Sequence, residues 1–290
     1  MGYIENTLLI AQMTDIHIGF DPDAKPEELN RIRFRETLDR MVAAPNQPDF
    51  LVLSGDLTDH GDKDSFEKTA KLLEVVDCPI LAMVGNHDTR EGLLHAFPDT
   101  PSHDGFIQYA VESHGLRIIC LDTMEPGRHG GAFCDVRAAW LSDQLNAHPE
   151  TPTIIFMHHP PVIAGIAWMD PKPGEKWIER FGAAIKGHDQ ILGLHCGHLH
   201  RPVHTSFRGV PLNITASVAP LVAMDLRPID GDTPDGRDLI TTEPPTYALH
   251  RWDGRKMLTH YEKSNAWEVL ASYGPELQGM IQHMLDEEES

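Results

Sequence analysis

Apolar residues along the first third of the chain fall into short continuous runs separated by longer stretches with helical spacing. Residues 8–13, 50–53 and 79–84 are apolar runs with the length of buried strands. Residues 26–44 and 63–76 place their apolar side chains at intervals of three or four, which is the spacing of one helix face. Strand and helix therefore alternate, and this order predicts βαβ units and a largely parallel sheet.

The remainder of the chain is less regular in its middle and richer in strands towards its end. We predict strands at 106–111, 116–121, 153–157 and 190–194, and helices at 136–147 and 175–186. Antiparallel strands are predicted at 202–207, 210–214, 246–252 and 256–261. Residues 219–245, rich in Pro, Gly and Asp, are compatible with a cap, a dimer arm or a disordered loop, and the acidic tail from residue 267 is weakly helical.

Five predicted strands end in side chains that can bind metal ions. These candidate ligands, in chain order, are Asp15, His17, Asp56, Asn86, His158, His198 and His200. Carboxylate, imidazole and amide donors without a thiolate suit Mn, Fe, Zn or Co rather than a structural zinc site. Because ligands of open α/β sheets bind beyond the carboxyl ends of the strands, the sequence predicts a metal centre there.

The spacing of these candidates supports one shared centre. Asp15 and His17 are separated by one residue, as are His198 and His200. In extended backbone such residues project to the same side, so that each pair can serve one cluster. Glycine also precedes ligand positions where the backbone must turn tightly, at residues 55, 85 and 197.

Composition narrows the classes of partner and the compartment. The chain of 290 residues has 24 basic and 44 acidic side chains, a net charge of −20. This balance argues against a nucleic-acid polymer or an anionic membrane as partner, although a small phosphate ester remains compatible with it. The four cysteines form no CxxC pair, and no apolar run approaches membrane-spanning length. We therefore expect reduced thiols and a cytoplasmic protein.

The ligand-bearing blocks, taken in order, resemble the calcineurin-like metallophosphoesterase superfamily over about residues 8–205. They read Asp15-Ile-His17, Gly55-Asp-Leu-Thr-Asp59, Gly85-Asn-His-Asp88, His158 and Gly197-His-Leu-His200. The resemblance implies an α/β fold: a four-layer α/β/β/α sandwich with a small C-terminal β-rich cap. It also implies a catalytic domain at 1–215, a cap or dimerisation insert at 216–245, and terminal strands completing the core plus a helical tail at 246–290.

The resemblance further implies two divalent metal ions, drawn from Mn, Fe, Zn and Co. One ion would be held by Asp15, His17, Asp56 and His200, and the other by Asp56, Asn86, His158 and His198. Asp56 would bridge them. His87 would contact the phosphoryl or leaving-group oxygens, Asp88 would orient His87, and Asp59 would support the ligands. His159 stays open between a supporting and an exposed residue.

The function implied is hydrolysis of small-molecule phosphodiesters by a hydroxide that bridges the metals. The short-loop layout most resembles the branch with class III cyclic-nucleotide phosphodiesterases and glycerophosphodiesterases, whose sites are enclosed by caps and subunit contacts. Here residues 216–245 and 164–176, with Trp168, would serve this purpose in a homodimer or larger homo-oligomer. The alternatives are a phosphomonoesterase or broad nucleotide phosphoesterase, and a non-catalytic scaffold. His60 and Asp88 stand where Ser/Thr protein phosphatases carry Arg and Glu, which disfavours that branch.

Overall fold

The computed structural model describes residues 7–21, 23 and 28–286. The helices are α1 (Leu29–Ala43), α2 (Lys63–Leu72), α3 (Arg90–Ala96), α4 (Asp135–Ala147), α5 (Lys176–Ala184) and α6 (Gln278–Asp286). The first nine strands are β1 (Leu8–Met13), β2 (Phe50–Ser54), β3 (Ile80–Met83), β4 (Tyr109–Ser113), β5 (Leu116–Leu121), β6 (Thr153–Met157), β7 (Ile191–Cys196), β8 (Val203–Phe207) and β9 (Val210–Ile214). The last four are β10 (Leu221–Val222), β11 (Ile240–Thr241), β12 (Thr246–Trp252) and β13 (Met257–Lys263).

The first large sheet has the strand order β13-β12-β1-β2-β3. Its strands β1, β2 and β3 are parallel, as the alternation of apolar runs and helical stretches predicts. Strand β12 pairs with β1 in antiparallel register, with Ile10 opposite His250, and β13 pairs with β12. Residues from the far end of the chain therefore complete the sheet that begins it.

The second large sheet has the order β4-β5-β6-β7-β9-β8. Strands β5, β6, β7 and β9 are parallel, and the edge strands β4 and β8 are antiparallel to their neighbours. The prediction of antiparallel structure after residue 200 is confirmed for the β8–β9 and β12–β13 hairpins, and β9 also pairs with β7, where the register is parallel. Because the chain reverses twice after β7, β9 returns parallel to it, with Leu194 opposite Leu212.

Side chains of the central strands alternate between two cores. In β5, Ile118 and Cys120 belong to the core that includes the first sheet, whereas Ile119 and Leu121 belong to the core under α4 and α5. Helices α1, α2 and α3 cover the first sheet through residues such as Phe34 and Phe66. This period of two places sheet against sheet and helices outside, which confirms the predicted α/β/β/α sandwich.

Gln12 ties the two sheets together behind their ligand-bearing ends. Its side-chain amide group donates to Ser54 Oγ over 2.8 Å and to the Cys196 carbonyl over 3.3 Å. Its oxygen accepts from Thr215 Oγ1 and from His250 Nε2 at 2.8 and 3.0 Å. Because a buried amide is costly unless it is hydrogen-bonded, this network fixes the ends of β1, β2 and β7 relative to one another.

Element boundaries differ from the predictions mainly where capping decides them. The helix predicted from residue 26 is described from Leu29, and residues 24–27 lie outside the described residues. The helix predicted to residue 76 ends at Leu72 and is followed by a 3₁₀ turn. Helix α3 was not predicted, because it has only seven residues; it begins where Thr89 accepts a hydrogen bond from the Gly92 amide. Among the described helices, none has both the length and the apolarity to cross a bilayer.

Candidate metal centre

The structure brings the sequence-predicted ligands to one edge, beyond the carboxyl ends of β1, β2, β3, β6 and β7. Ligand atoms of Asp15, His17 and His200 lie within 4.8 Å of one another, and so do those of Asp15, Asp56 and His158. Two further groups of the same kind are His17, Asp56 and His87, and His158, His159 and His198. All but His87 and His200 are buried in full, so the centre is a pocket of donors largely shielded from water.

Two imidazoles among the ligands predicted for the first ion, those of His17 and His200, turn their Nε2 atoms towards each other. His17 Nδ1 donates to Asp59 Oδ1 over 2.9 Å, and His200 Nδ1 donates to the Pro220 carbonyl over 2.9 Å. The two Nε2 atoms are 3.2 Å apart, and His200 Nε2 also lies 3.3 Å from Asp15 Oδ1. Burial lowers the pKa of His200, but the Asp15 carboxylate outweighs it and raises that pKa. A metal ion bound by both Nε2 atoms would take the place of a proton held there. Asp59 acts here as the supporting carboxylate that fixes the tautomer of His17.

The second side of the centre holds two buried atoms without a hydrogen-bond partner in the described chain, Asn86 Oδ1 and His158 Nε2. His158 Nδ1 donates to the Ser54 carbonyl over 3.0 Å, which leaves Nε2 free. Nε2 lies 3.2 Å from Asp56 Oδ2 outside hydrogen-bond geometry, so the two groups attract each other electrostatically without a directed hydrogen bond. A buried polar atom without a partner, such as Asn86 Oδ1, costs about 1–3 kcal/mol. Asn86 Oδ1 and His158 Nε2 are ligand atoms predicted for the same ion, so the residues fit a metal here.

Electrostatics also favour positive charge at the centre. Burial lowers the pKa of His158, but the Asp56 and Asp15 carboxylates outweigh it and raise that pKa to about 9. Burial raises the pKa of Asp56, but His158, His17 and His87 together hold it well below its usual value. The two buried carboxylates thus remain ionised and attract a cation, whether a proton on imidazole or a metal ion.

The backbone of the ligand pairs differs from the prediction. Asp15, His17, Asp56, His198 and His200 all have positive φ, between 50° and 71°. The expectation that the pairs lie in extended backbone is therefore wrong; each ligand instead sits in a left-handed turn that follows its strand. Such conformations cost about 1–3 kcal/mol each and are concentrated at functional sites. Both members of each pair still reach the centre, but His198 groups with His158 and His200 groups with Asp15.

Glycines before the ligands are required by close packing. A Cβ atom on Gly85 would lie 2.2 Å from Asp56 Oδ1, and one on Gly197 would lie 2.0 Å from Thr14 Oγ1. No rotamer of the neighbouring side chains relieves contacts that short without moving a candidate ligand or its neighbour. The predicted need for glycine at these positions thus has a steric cause.

His87 lies at the open side of the centre. Its Nδ1 donates to the Asp59 carbonyl over 2.8 Å, and its ring centroid is 4.7 Å from that of His17. Its backbone amide donates to Asp56 Oδ1 over 2.8 Å. With 36% of its side chain exposed, His87 is the one candidate that both adjoins Asp56 and is open to an incoming molecule.

The Asp88 carboxylate is hydrogen-bonded to backbone amides and not to the His87 ring. Its carboxylate accepts from the amides of Gly85, Leu57 and Thr58 at 2.9–3.1 Å and from Thr58 Oγ1 at 2.9 Å. The prediction that Asp88 orients His87 is wrong, because Nδ1 of the His87 ring donates to the Asp59 carbonyl instead. Burial and the nearby Asp56 raise the pKa of Asp88 to about 6. Asp88 therefore joins the loop that carries Asp56 to the loop that carries Asn86.

Replacing Asp88 by Asn should destabilise the protein and weaken metal binding. An amide offers one acceptor oxygen and turns its NH₂ group towards backbone donors, so at least one buried N–H loses its partner, at a cost of about 1–3 kcal/mol. Metal affinity should fall roughly 10–100-fold, as for residues that support ligands. Chemical denaturation and metal titration measure the two effects. The exposed Asp189→Asn variant is the control, and wild-type values for Asp88→Asn would show that this carboxylate does not join the loops.

His159 is a buried supporting residue, so the exposed alternative is wrong. Its Nε2 donates to the His129 carbonyl over 3.2 Å, and its Nδ1 accepts from Thr123 Oγ1 over 2.9 Å. Although its ring is 4.7 Å from that of His198, both of its nitrogens are hydrogen-bonded. It therefore packs against a candidate ligand without offering a free lone pair.

His129 was missed by the sequence reasoning. It lies in the loop after β5, and its ring centroid is 4.7 Å from that of His198. Burial and the neighbouring imidazoles hold its pKa below the usual value although Asp56 opposes this, so the ring is neutral near pH 7. The sequence offered one signal for His129, which is that it follows a predicted strand. It lacks the short spacing that marked the other candidate ligands.

A buried ion pair fixes the His129 loop relative to the His87 loop. Arg90, the first residue of α3, donates through Nε and Nη2 to both oxygens of Asp122 over 2.7 and 2.9 Å. Asp122 directly follows β5 and is fully buried. Because this bidentate pair is charge-assisted and its carboxylate is fully buried, it sets the distance between the two loops that border the open side.

Two cavities flank the centre. One, of about 430 Å³, is bordered by His129, His159 and His198 and by the side chains of Trp168 and Lys172. The other, of about 490 Å³, lies beside His17 and His200, and its lining is mostly apolar. A bound molecule can therefore reach the centre from two sides.

Two sheets with Asp, Asn and His candidate ligands gathered at their strand ends fit the class of dinuclear metal-dependent phosphoesterases. The family model of the calcineurin-like phosphoesterases matches residues 8–202, and the chain belongs to that family. The resemblance seen in the ordered sequence blocks is thereby confirmed.

Curated relatives match most of the chain. A probable glycerophosphodiester phosphodiesterase of Arcobacter nitrofigilis is 30% identical over 258 residues, which cover 87% of this chain and 91% of the relative. A probable cyclic nucleotide phosphodiesterase of Synechococcus is 34% identical over 218 residues, covering 71% of this chain and 80% of the relative. Among solved structures, a dimetal phosphatase of Danio rerio shares the fold with a TM-score of 0.58 at 15% identity, covering 87% of this chain and 98% of that one.

Proposed function

We propose that this protein hydrolyses phosphodiester bonds of small molecules with two divalent metal ions. The first ion would be held by Asp15, His17, Asp56 and His200, and the second by Asp56, Asn86, His158 and His198. The observation that carries the proposal is the pair of buried ligand atoms without partners, Asn86 Oδ1 and His158 Nε2, beside two buried carboxylates.

When bound, a pair of divalent ions lowers the pKa of a water molecule and polarises phosphoryl oxygens. Two divalent ions would bring four positive charges, and the Asp15 and Asp56 carboxylates would balance only two of them. The centre would therefore stay positive although the chain as a whole has a charge of −20. A phosphodiester anion is thus attracted locally by a protein that repels it globally.

His87 is the residue of this chain best placed to act on the substrate. Its Nδ1–H is engaged by the Asp59 carbonyl, so Nε2 is the atom that can hold or release a proton. We propose that Nε2 contacts the phosphoryl or leaving-group oxygen and, when protonated, donates to it. The backbone amide of His87 donates to Asp56 Oδ1, and this hydrogen bond would keep the ring beside the metal ions.

Cyclic nucleotides and glycerophosphodiesters are the two substrate classes we propose. The names of the relatives from Synechococcus and Arcobacter support one class each. Both are diesters with one negative charge at the phosphoryl group, which suits a centre of modest positive charge. They differ in the group beyond the phosphate, which the flanking cavities would receive.

The test combines metal analysis with turnover. Purified protein reconstituted separately with Mn, Fe, Zn and Co should bind two equivalents of an active metal and hydrolyse bis(p-nitrophenyl) phosphate. A panel of cyclic AMP, 2′,3′-cyclic nucleotides and glycerophosphocholine then ranks the substrate classes. Less than one equivalent of any metal, together with no turnover of the aryl diester, would overturn the proposal.

We further propose that residues 216–245 cap the site beside a catalytic domain of residues 1–215, with residues 246–290 completing its core. Arg33 and Arg201 support this, because they clamp the base of the insert through hydrogen bonds to the Val218, Ala219 and Val222 carbonyls. Exposed apolar side chains on the insert, such as those of Met224 and Leu226, support a homodimer or larger homo-oligomer. Light scattering of the eluting protein measures the assembly.

A cytoplasmic location is proposed from the cysteines. All four are free, and Cys120 and Cys196 are buried thiols. Free thiols are typical of reducing compartments.

A further inference from the structure

Trp168 is held at the rim of the cavity of about 430 Å³ although Ile166 and Met169, on either side of it in the loop, are buried. Its side chain is 37% exposed, whereas Ile166 and Met169 are 2% and 6% exposed and belong to the core under α4 and α5. Two apolar anchors therefore fix the loop to the domain, and the largest apolar side chain between them is left at the surface.

The loop around Trp168 is closed by hydrogen bonds. The Asp170 carboxylate accepts from the amides of Ala164 and Gly165, both over 2.8 Å. The Met169 amide donates to the Ile166 carbonyl over 2.8 Å. Because the backbone is fixed on both sides of Trp168, the exposure of the indole is a result of the fold and not of a mobile loop.

The same cavity extends to the metal centre. Its lining includes His198, a candidate ligand, and His129, whose ring contacts that of His198. A molecule whose phosphoryl group lies at the metals can therefore place its leaving group against Trp168.

The hydrogen-bonding groups around the cavity favour one kind of leaving group. The Glu175 carboxylate is occupied by three donors: Arg128 Nη2, the Lys172 amide and the Trp177 indole N–H, at 2.5, 3.0 and 2.8 Å. The Asp170 carboxylate is already hydrogen-bonded to two backbone amides. The described lining therefore offers hydrogen-bond donors, from the remaining N–H groups of Arg128 and the Lys172 ammonium group, but no uncommitted carboxylate for a quaternary ammonium group.

We propose that this cavity is a binding site for the nucleobase of a nucleotide ester, stacked on Trp168 with its acceptor edge towards Arg128 and Lys172. The proposal rests on the proposed function and makes it specific. Every base offers a flat aromatic face, which stacks on an exposed indole. Ring nitrogens and carbonyl oxygens of bases are acceptors for Arg and Lys. Choline and ethanolamine head groups lack both features.

Binding is the first test, with AMP as the probe and indole fluorescence as the readout. AMP should quench the fluorescence of the metal-loaded wild type. Most of the quenching should be lost in Trp168→Ala, where Trp177 is the one tryptophan left in the described lining, and all of it should remain in Trp267→Ala, a half-exposed tryptophan in the tail that does not line the cavity. Equal quenching in all three proteins would overturn the site.

The second test compares the effect of Trp168 substitutions on two classes of substrate. Trp168→Ala should raise KM for cyclic AMP about tenfold, the loss expected for one stacked base, and Trp168→Phe should restore most of it. For glycerophosphoethanolamine, kcat/KM should stay within about twofold of wild type, since no interaction with that leaving group is removed. Equal losses on both substrates, or a loss confined to glycerophosphocholine, would overturn the nucleobase site and leave the diesterase proposal standing. No hydrolysis of any diester by the wild type would instead overturn the proposed function, and AMP quenching would still report on the site.

Discussion

Asp56→Ala should lose bound metal and turnover together. The Asp56 carboxylate lies 3.2 Å from His158 Nε2 and 3.7 Å from His17 Nε2, so it belongs to both groups of ligand atoms. Its removal takes one ligand from each proposed ion. We expect metal content to fall from two equivalents to less than one, and kcat/KM to fall by more than ~100-fold, the upper loss for residues that only support ligands.

Thermal unfolding separates this effect from misfolding. A metal that binds only the folded protein raises Tm, so the wild type should gain stability with added Mn and lose it with a chelator. The Asp56→Ala protein should show a cooperative transition that neither reagent moves. Asp64→Ala, at an exposed carboxylate on α2, should behave as wild type. An Asp56→Ala protein that keeps two metals and wild-type turnover would contradict the bridging role.

His87→Ala should keep both metals and lose most of kcat. The substitution removes the imidazole but leaves the backbone amide that donates to Asp56 Oδ1. Loss of a proton donor or of a contact to the leaving oxygen is worth about 10²–10⁴-fold in rate. Steady-state kinetics on the aryl diester, with metal analysis of the same sample, measure both quantities.

Two results would contradict this role for His87. Turnover at the wild-type rate would show that the ring does not act on the substrate, and loss of one metal would show that it is a ligand instead. His95→Ala provides the matched control, because His95 is an exposed imidazole on the neighbouring helix α3. Its kinetics should equal those of the wild type.

Supporting roles were the part of the centre that the sequence predicted least well. Asp88 is adjacent to His87 in the chain, yet two of its three backbone partners, Leu57 and Thr58, lie about thirty residues earlier. His159 accepts from Thr123, and His129 reaches His198 across a loop. Such partners meet only through loop packing, which has no local pattern.

Backbone conformation was the other feature beyond the sequence. The spacing of Asp15 and His17 suggested extended backbone, whereas both residues have left-handed φ. The chain adopts this costly geometry because surrounding hydrogen bonds fix it: the amides of both residues donate to carbonyls of Gly55 and Asp56. Those bonds exist only once β1 and β2 are paired.

The sequence by itself determined the order of strands and helices and the identity of the candidate ligands. Hydrophobic periodicity is local, and parallel strands bring their carboxyl ends to one edge, so Asp56 and its neighbours were predictable as a cluster. The tertiary structure alone decided which ring nitrogens face that cluster. The carbonyls of Ser54 and Pro220 engage Nδ1 of His158 and His200, and these contacts require a distance and direction that no spacing along the chain specifies.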